Sequence, residues 1–248
     1  METPDPPPLP DALAARSGLV AVVGAGGKKT TLYALASRLD RAILTATVRI
    51  PIFDRQVTKV FVTDDPVATV REASAWPLGL VPEREREDRY LGYEPEAVDA
   101  LAGADVTESV LVKADGARTR LLKAPDEHEP QIPSTVDTVL PVASVQAVGK
   151  PLIDEYVHRP ERVSAITDRS VGDEIRPRDV ARVLTSEAGG LKGVPEAATV
   201  VAVLNMVDDA EDLDSAREIA ERVVAEPRID AVALTSMIAE KPVQELYR

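Results

Sequence analysis

The chain has 248 residues, 44% hydrophobic but only 3% aromatic, so Val, Leu, Ile and Ala must fill its interior in place of large rings. Its 42 Asp and Glu against 29 Lys and Arg give a formal charge of −13, which argues against a nucleic-acid partner, and with Arg outnumbering Lys by 21 to 8 this is a surface suited to concentrated salt. The absence of cysteine excludes disulfides and thiolate metal sites, and no apolar run approaches the roughly 18 residues of a spanning helix, so a soluble, cytoplasmic protein with no membrane partner is expected.

Residues 1–10 hold five prolines and no basic or apolar leader. This composition predicts a disordered tip, with a Pro-rich tail over residues 1–16 and a single α/β domain over 17–248. Residues 18–23 are a short apolar run closed by glycines, and Leu32, Leu35, Ala36 and Leu39 then recur at helical spacing. Together they predict a strand, a loop and a helix. Residues 42–47 and 59–63 read as further strands around a short segment at Pro51, and residues 76–89 end in a charged run typical of a solvated loop or helix face.

A helix is expected over residues 95–101, a buried strand over 109–114 ending at Asp115-Gly116, and another strand over 135–142. Residues 143–193 read as a small helical insertion: Pro177 suits a first turn, Val180, Val183 and Leu184 share a face, and Gly189-Gly190 ends the helix. A strand over 198–204, a helix lined by Leu213, Ala216, Ala220, Val223 and Val224, and a last strand over 231–235 follow. Such alternation predicts an α/β fold, a mostly parallel sheet with helices on both faces.

The junction of the first strand and helix reads Gly24-Ala25-Gly26-Gly27-Lys28-Lys29-Thr30-Thr31. Glycines let backbone N–H groups converge on phosphate oxygens at a helix start, a Lys meets the β and γ charges, and a Thr hydroxyl reaches Mg²⁺. The strict G-x-x-x-x-G-K-[ST] pattern is broken twice, by Val22 at its first position and by Lys29 where Ser or Thr should stand. Lys29 also breaks the dinucleotide pattern G-x-G-x-x-G. The expected ligand is therefore a nucleoside triphosphate, ATP or GTP, with Mg²⁺, and the competing reading is a tightly packed strand-to-helix turn.

Several segments give the chain a resemblance to the YqeC family. They are the loop Gly24-Ala25-Gly26-Gly27-Lys28, Ala114-Asp115-Gly116-Ala117, and the run from Leu122-Lys123-Ala124-Pro125 through His128-Glu129-Pro130 to Pro133. Val157-His158-Arg159-Pro160-Glu161, the stretch from Gly190 to Pro195, and Leu204-Asn205-Met206-Val207-Asp208 continue it. The resemblance implies a P-loop NTPase-like accessory protein in building or inserting the cofactor of (selenium-dependent) molybdenum hydroxylases. Lys29 and Lys113 depart from it, the latter standing where an acidic residue is expected two before Asp115, and Thr45-Ala46-Thr47-Val48 keeps part of a threonine-rich strand end.

Asp115 ends an apolar strand where P-loop enzymes place the carboxylate that holds Mg²⁺, with Thr30 as its partner, and the competing reading is an Asp-Gly turn. His128 and Glu129 sit in a proline-braced loop and could act as a base or orient water, with Lys28 in the catalytic set, while Lys123 and Arg118 could pair with ligand charge. His158 and Arg159 open a helix, where an ion pair between Arg159 and Glu161 is the simpler reading. Asn205 and Asp208 have the N-x-x-D spacing of guanine readers, although Met206 replaces the stacking Lys and an N-cap role for Asp208 competes. Three functions stay open: an NTP-dependent accessory factor, a small-molecule kinase or nucleotidyl transferase, and a non-catalytic chaperone. The chaperone would deliver nucleotide or a molybdopterin-type cofactor to an apo molybdenum hydroxylase.

Overall fold

The computed structural model describes residues 5–248. In chain order its first half holds α1 (Leu9–Ala12), β1 (Gly18–Gly24), α2 (Lys28–Ala36), β2 (Ala42–Ala46), β3 (Ile50–Pro51), β4 (Lys59–Val62), α3 (Pro66–Arg71), β5 (Leu78–Val81), β6 (Arg89–Tyr90) and α4 (Pro95–Gly103). The second half adds β7 (Ser109–Lys113), β8 (Leu122–Lys123), β9 (Thr138–Ser144), β10 (Val157–His158), α5 (Pro160–Thr167), α6 (Pro177–Thr185), β11 (Thr199–Asn205), α7 (Ala210–Val223), β12 (Ala231–Thr235) and β13 (Val243–Tyr247).

Nine strands form one sheet in the order β13-β12-β11-β9-β1-β7-β2-β5-β4. Every pair is parallel except β12 with β13. The strands are apolar on both faces because both faces are covered, as parallel sheets require. Along β1, Val20 and Val22 join the cluster that holds Leu32 and Leu35 of α2, whereas Leu19, Ala21 and Val23 join the one that holds Val98 and Leu101 of α4. Helices α6 and α7 cover β11 and β12 on that second face through Val180, Leu184, Ile219 and Val223. Each such Leu or Val contributes about 1.5–3 kcal/mol by leaving water.

Register positions the site. Val22 of β1 pairs with Lys113 of β7, so Gly24 and Asp115, each two residues further on, emerge side by side at the carboxyl edge of the sheet. Ligands of open α/β sheets bind at this edge.

Four expectations are corrected. The disordered tip expected over residues 1–10 does not hold at Leu9 and Pro10, which are buried where α1 packs into the core, while Met1 to Pro4 lie outside the described residues. Residues 76–89 are not solely a solvated segment, because Leu78–Val81 enters the sheet fully buried. Residues 231–235 are not the last strand, since β13 returns antiparallel along β12. The strand expected from residue 135 begins at Thr138. Residues 143–193 do hold α5 and α6, and α6 packs into the same apolar layer as α7.

Candidate functional site

The loop between β1 and α2 folds tightly because its glycines adopt backbone that side chains resist. Gly26 has φ +77° and a Cβ there would lie 2.3 Å from the Ser144 nitrogen, while Gly27 has φ +122° and its Cβ would meet the Asn205 amide at 2.1 Å. Asn205, buried at the end of β11, donates from Nδ2 to the Gly26 carbonyl at 2.9 Å and clamps the loop.

The loop's amides divide into two sets. Gly24 N–H donates to Asp115 Oδ2 at 2.9 Å, Ala25 N–H to the Val142 carbonyl at 2.9 Å, and Gly26 N–H to the Arg120 carbonyl at 2.8 Å. The N–H groups of Gly27, Lys28, Lys29 and Thr30 have no acceptor among the described residues, and no side chain caps α2. These are the orphan donors of a helix start, where the helix dipole also favours negative charge.

Behind the loop lies a buried ionic network. Lys28 Nζ pairs with Asp115 Oδ1 at 2.8 Å and donates to the Gly24 carbonyl. Lys123 Nζ pairs with Asp115 Oδ2 at 2.9 Å and with Glu129 Oε2 at 2.6 Å. Glu129 also accepts from the Gly116 amide at 3.1 Å and from Arg159 at 2.7 Å, and Arg159 reaches Asp126 as well. Burial works to raise the Glu129 pKa, but hydrogen bonds and charge from Lys123 and Arg159 prevail and hold it below the usual value. Burial pushes the Lys28 pKa down, with the Asp115 charge opposing.

In front of the loop is a cavity of about 800 Å³, within the range of small-molecule and cofactor sites. Residues 25–30, Val48, Arg49, Pro51, Arg89, Lys113, residues 116–120, Glu129, His158, Arg159 and Met206 line it. Eight of these are Lys or Arg and one is a carboxylate, in a chain whose net charge is −13. Lys28, Arg49, Arg89 and Arg159 have carboxylate partners, whereas Lys29, Lys113, Arg118 and Arg120 have none among the described residues. Lys113 is 6% exposed and donates to the Arg49 carbonyl at 2.8 Å. Burial, then the Lys28 charge, brings its pKa to about 7.

A family model described as "YqeC protein" matches residues 20–161, more than half of the chain. The chain belongs to the YqeC family. It is also similar to "Uncharacterized protein YqeC" of Escherichia coli (strain K12), at 30% identity over 203 residues that cover 79% of each chain. The matched family span takes in the loop, Lys113, Asp115, Lys123, Glu129, His158 and Arg159, and ends before Asn205 and Asp208.

Within this YqeC-family site the expected residues separate. Ala25, Gly26, Gly27, Lys28, Lys29 and Thr30 line the cavity with Glu129. Thr31 is buried and its hydroxyl donates back to the Gly27 carbonyl at 3.2 Å. Lys123, 3% exposed, is a cross-link between two carboxylates and does not face the cavity. Asp115 lies beneath the loop, 1% exposed and ion-paired with Lys28 and Lys123, while Thr30 lines the cavity. His128 is exposed and does not line the cavity.

The N-x-x-D reading separates in the same way. Asn205 holds the loop, and Asp208 is exposed, accepting from Ser236 Oγ at 2.6 Å. The N-cap of α7 is Asp209, which accepts from the Asp212 amide at 2.9 Å, so the cap expected at Asp208 falls one residue later. Arg159 pairs with Glu129 and Asp126 and not with Glu161. Sequence reading assigned no cavity role to Arg49, Arg89, His158 or Met206; for the last two, the signal was the family resemblance of their segments.

Proposed function

We propose that the chain binds a nucleoside triphosphate, ATP or GTP, and serves as an accessory protein in maturation of, or cofactor insertion into, a molybdenum hydroxylase, including selenium-dependent ones. The observation that carries the binding step is the set of four unpaired amides at residues 27–30, opening with Lys29 onto a cavity rich in uncompensated cations. Backbone donors at a helix start and a surplus of positive charge together select a polyphosphate over a single carboxylate. Val48, Pro51 and Met206 supply apolar wall for a base or a comparable ring. The client assignment comes from family membership and from the resemblance of the motif segments. Calorimetric titration with ATP, GTP and a non-hydrolysable analogue tests the binding step: saturable binding supports it, and no heat with any of the three contradicts it.

A second reading, binding and delivery without turnover, is favoured by one further observation. Glu129, the only carboxylate on the cavity wall among the described residues, is held by Lys123, Arg159 and the Gly116 amide, so it has no free role as a base. His158, whose pKa burial and the neighbouring Arg159 push down to about 4, is a weak base there. Quantifying NDP release by chromatography decides between the readings, with delivery predicting turnover no faster than the uncatalysed reaction.

A further inference from the structure

A phosphate loop implies a divalent cation, and the residues around this loop do not fit one. The place of the Ser or Thr hydroxyl that reaches Mg²⁺ is taken by Lys29, which lines the cavity with no carboxylate partner among the described residues. The strand-end carboxylate, Asp115, has one oxygen on Lys28 at 2.8 Å and the other on Lys123 and the Gly24 amide, each at 2.9 Å. Mg²⁺ demands octahedral oxygen ligands at close range, and it would have to expel both ammonium groups to reach this carboxylate. Glu129 is equally engaged, and no three His, Asp or Glu side chains converge as a metal site among the described residues. At the end of β7 stands Lys113, whose one hydrogen-bond partner among the described residues is the carbonyl of Arg49.

We propose that the chain binds its polyphosphate ligand free of divalent metal, with the ammonium groups of Lys29 and Lys113 covering the charge that Mg²⁺ covers in other phosphate-loop proteins. The inference rests on the polyphosphate reading above. With the ligand's negative charge holding Lys113 protonated, the two ammonium groups carry the same charge as one Mg²⁺, but they are tethered to α2 and β7 and stay when the ligand leaves. A ligand already loaded with Mg²⁺ presents less negative charge to the two lysines and brings a cation into a site that repels it. Metal-free ligand is therefore the tighter binder.

Titration calorimetry of the full chain, with ATP and separately with inorganic tripolyphosphate, in EDTA and in excess MgCl2, tests this. The expected result is binding in EDTA, weakened about tenfold or more by Mg²⁺. Binding that requires Mg²⁺ overturns the inference while leaving the polyphosphate reading intact. Absence of binding in both media overturns both. Lys29→Thr, at a half-exposed position that the fold does not depend on, should lower metal-free affinity about tenfold and reduce or reverse the penalty of Mg²⁺. Unchanged metal-free affinity in a variant with wild-type thermal stability removes Lys29 from the role and overturns the proposal as stated.

Discussion

Lys28 and Asp115 form an ion pair of 2.8 Å with both side chains almost wholly buried, where β1 and β7 end side by side. The same carboxylate takes Lys123 at 2.9 Å, so one buried anion pairs with two buried cations, the second of which Glu129 also holds. Removing a partner from such a cluster leaves uncompensated charge in a low-dielectric interior. Asp115→Ala is expected to cost about 3–5 kcal/mol in urea denaturation, whether or not ligand is present. A loss below about 1 kcal/mol would contradict the structural role given to this carboxylate.

The two loop lysines should respond differently to truncation. Lys28 serves the buried network and Lys29 faces the cavity without a carboxylate. Lys28→Ala is expected to lower stability by several kcal/mol and to weaken binding, whereas Lys29→Ala should weaken binding about tenfold with stability within about 0.5 kcal/mol of wild type. Denaturation and titration on the same preparations read both quantities, and equal stability losses would refute the division of labour.

Asn205 clamps the Gly26 carbonyl from a strand outside the family-matched span. Asn205→Ala leaves that carbonyl and the Thr235 hydroxyl, 3.2 Å from Asn205 Oδ1, each short of a partner. The expected cost is about 1–3 kcal/mol. Gly27→Ala places a Cβ 2.1 Å from Asn205 Nδ2 at φ +122° and should also distort the four free amides. Wild-type ligand affinity in Gly27→Ala would show that loop geometry does not govern binding.

His158 supplies a pH dependence. Burial, then Arg159 and Lys123, bring its folded pKa to about 4 against an ordinary 6.5. Between these values the unfolded chain binds a proton that the folded chain does not, so stability falls as pH is lowered from 6.5 to 4 and levels off below. His158→Asn should flatten this part of the stability profile, measured by urea titration at a series of pH values. An unchanged slope would assign the acid sensitivity to other groups.

The sheet was legible because its strands are short apolar runs punctuated by turn residues, and the loop because glycine spacing and paired lysines have few other uses. Helix α1 was hidden by the prolines around Leu9, one of which, Pro10, fits its first turn. Strand β5 was hidden beside a charged run, and β13 by its polar alternation, Val243-Gln244-Glu245-Leu246-Tyr247, which is the pattern of an edge strand. The ionic network escaped reading for a different reason: Lys28 and Asp115 lie 87 positions apart, and Arg159 and Glu129 lie 30 apart, so only register brings them together. Carboxylate partners then decide which charges are structural: Lys123 is held by Asp115 and Glu129, whereas Lys29 and Lys113 line the cavity with none among the described residues.

The amides themselves give the most direct test. In a ¹⁵N-resolved NMR titration with ATP, Gly27, Lys28, Lys29 and Thr30 should show the largest amide shifts, while Gly24, Ala25 and Gly26, already bonded within the protein, should move less. Saturable binding that leaves residues 27–30 unperturbed, or no binding at all, would contradict the account.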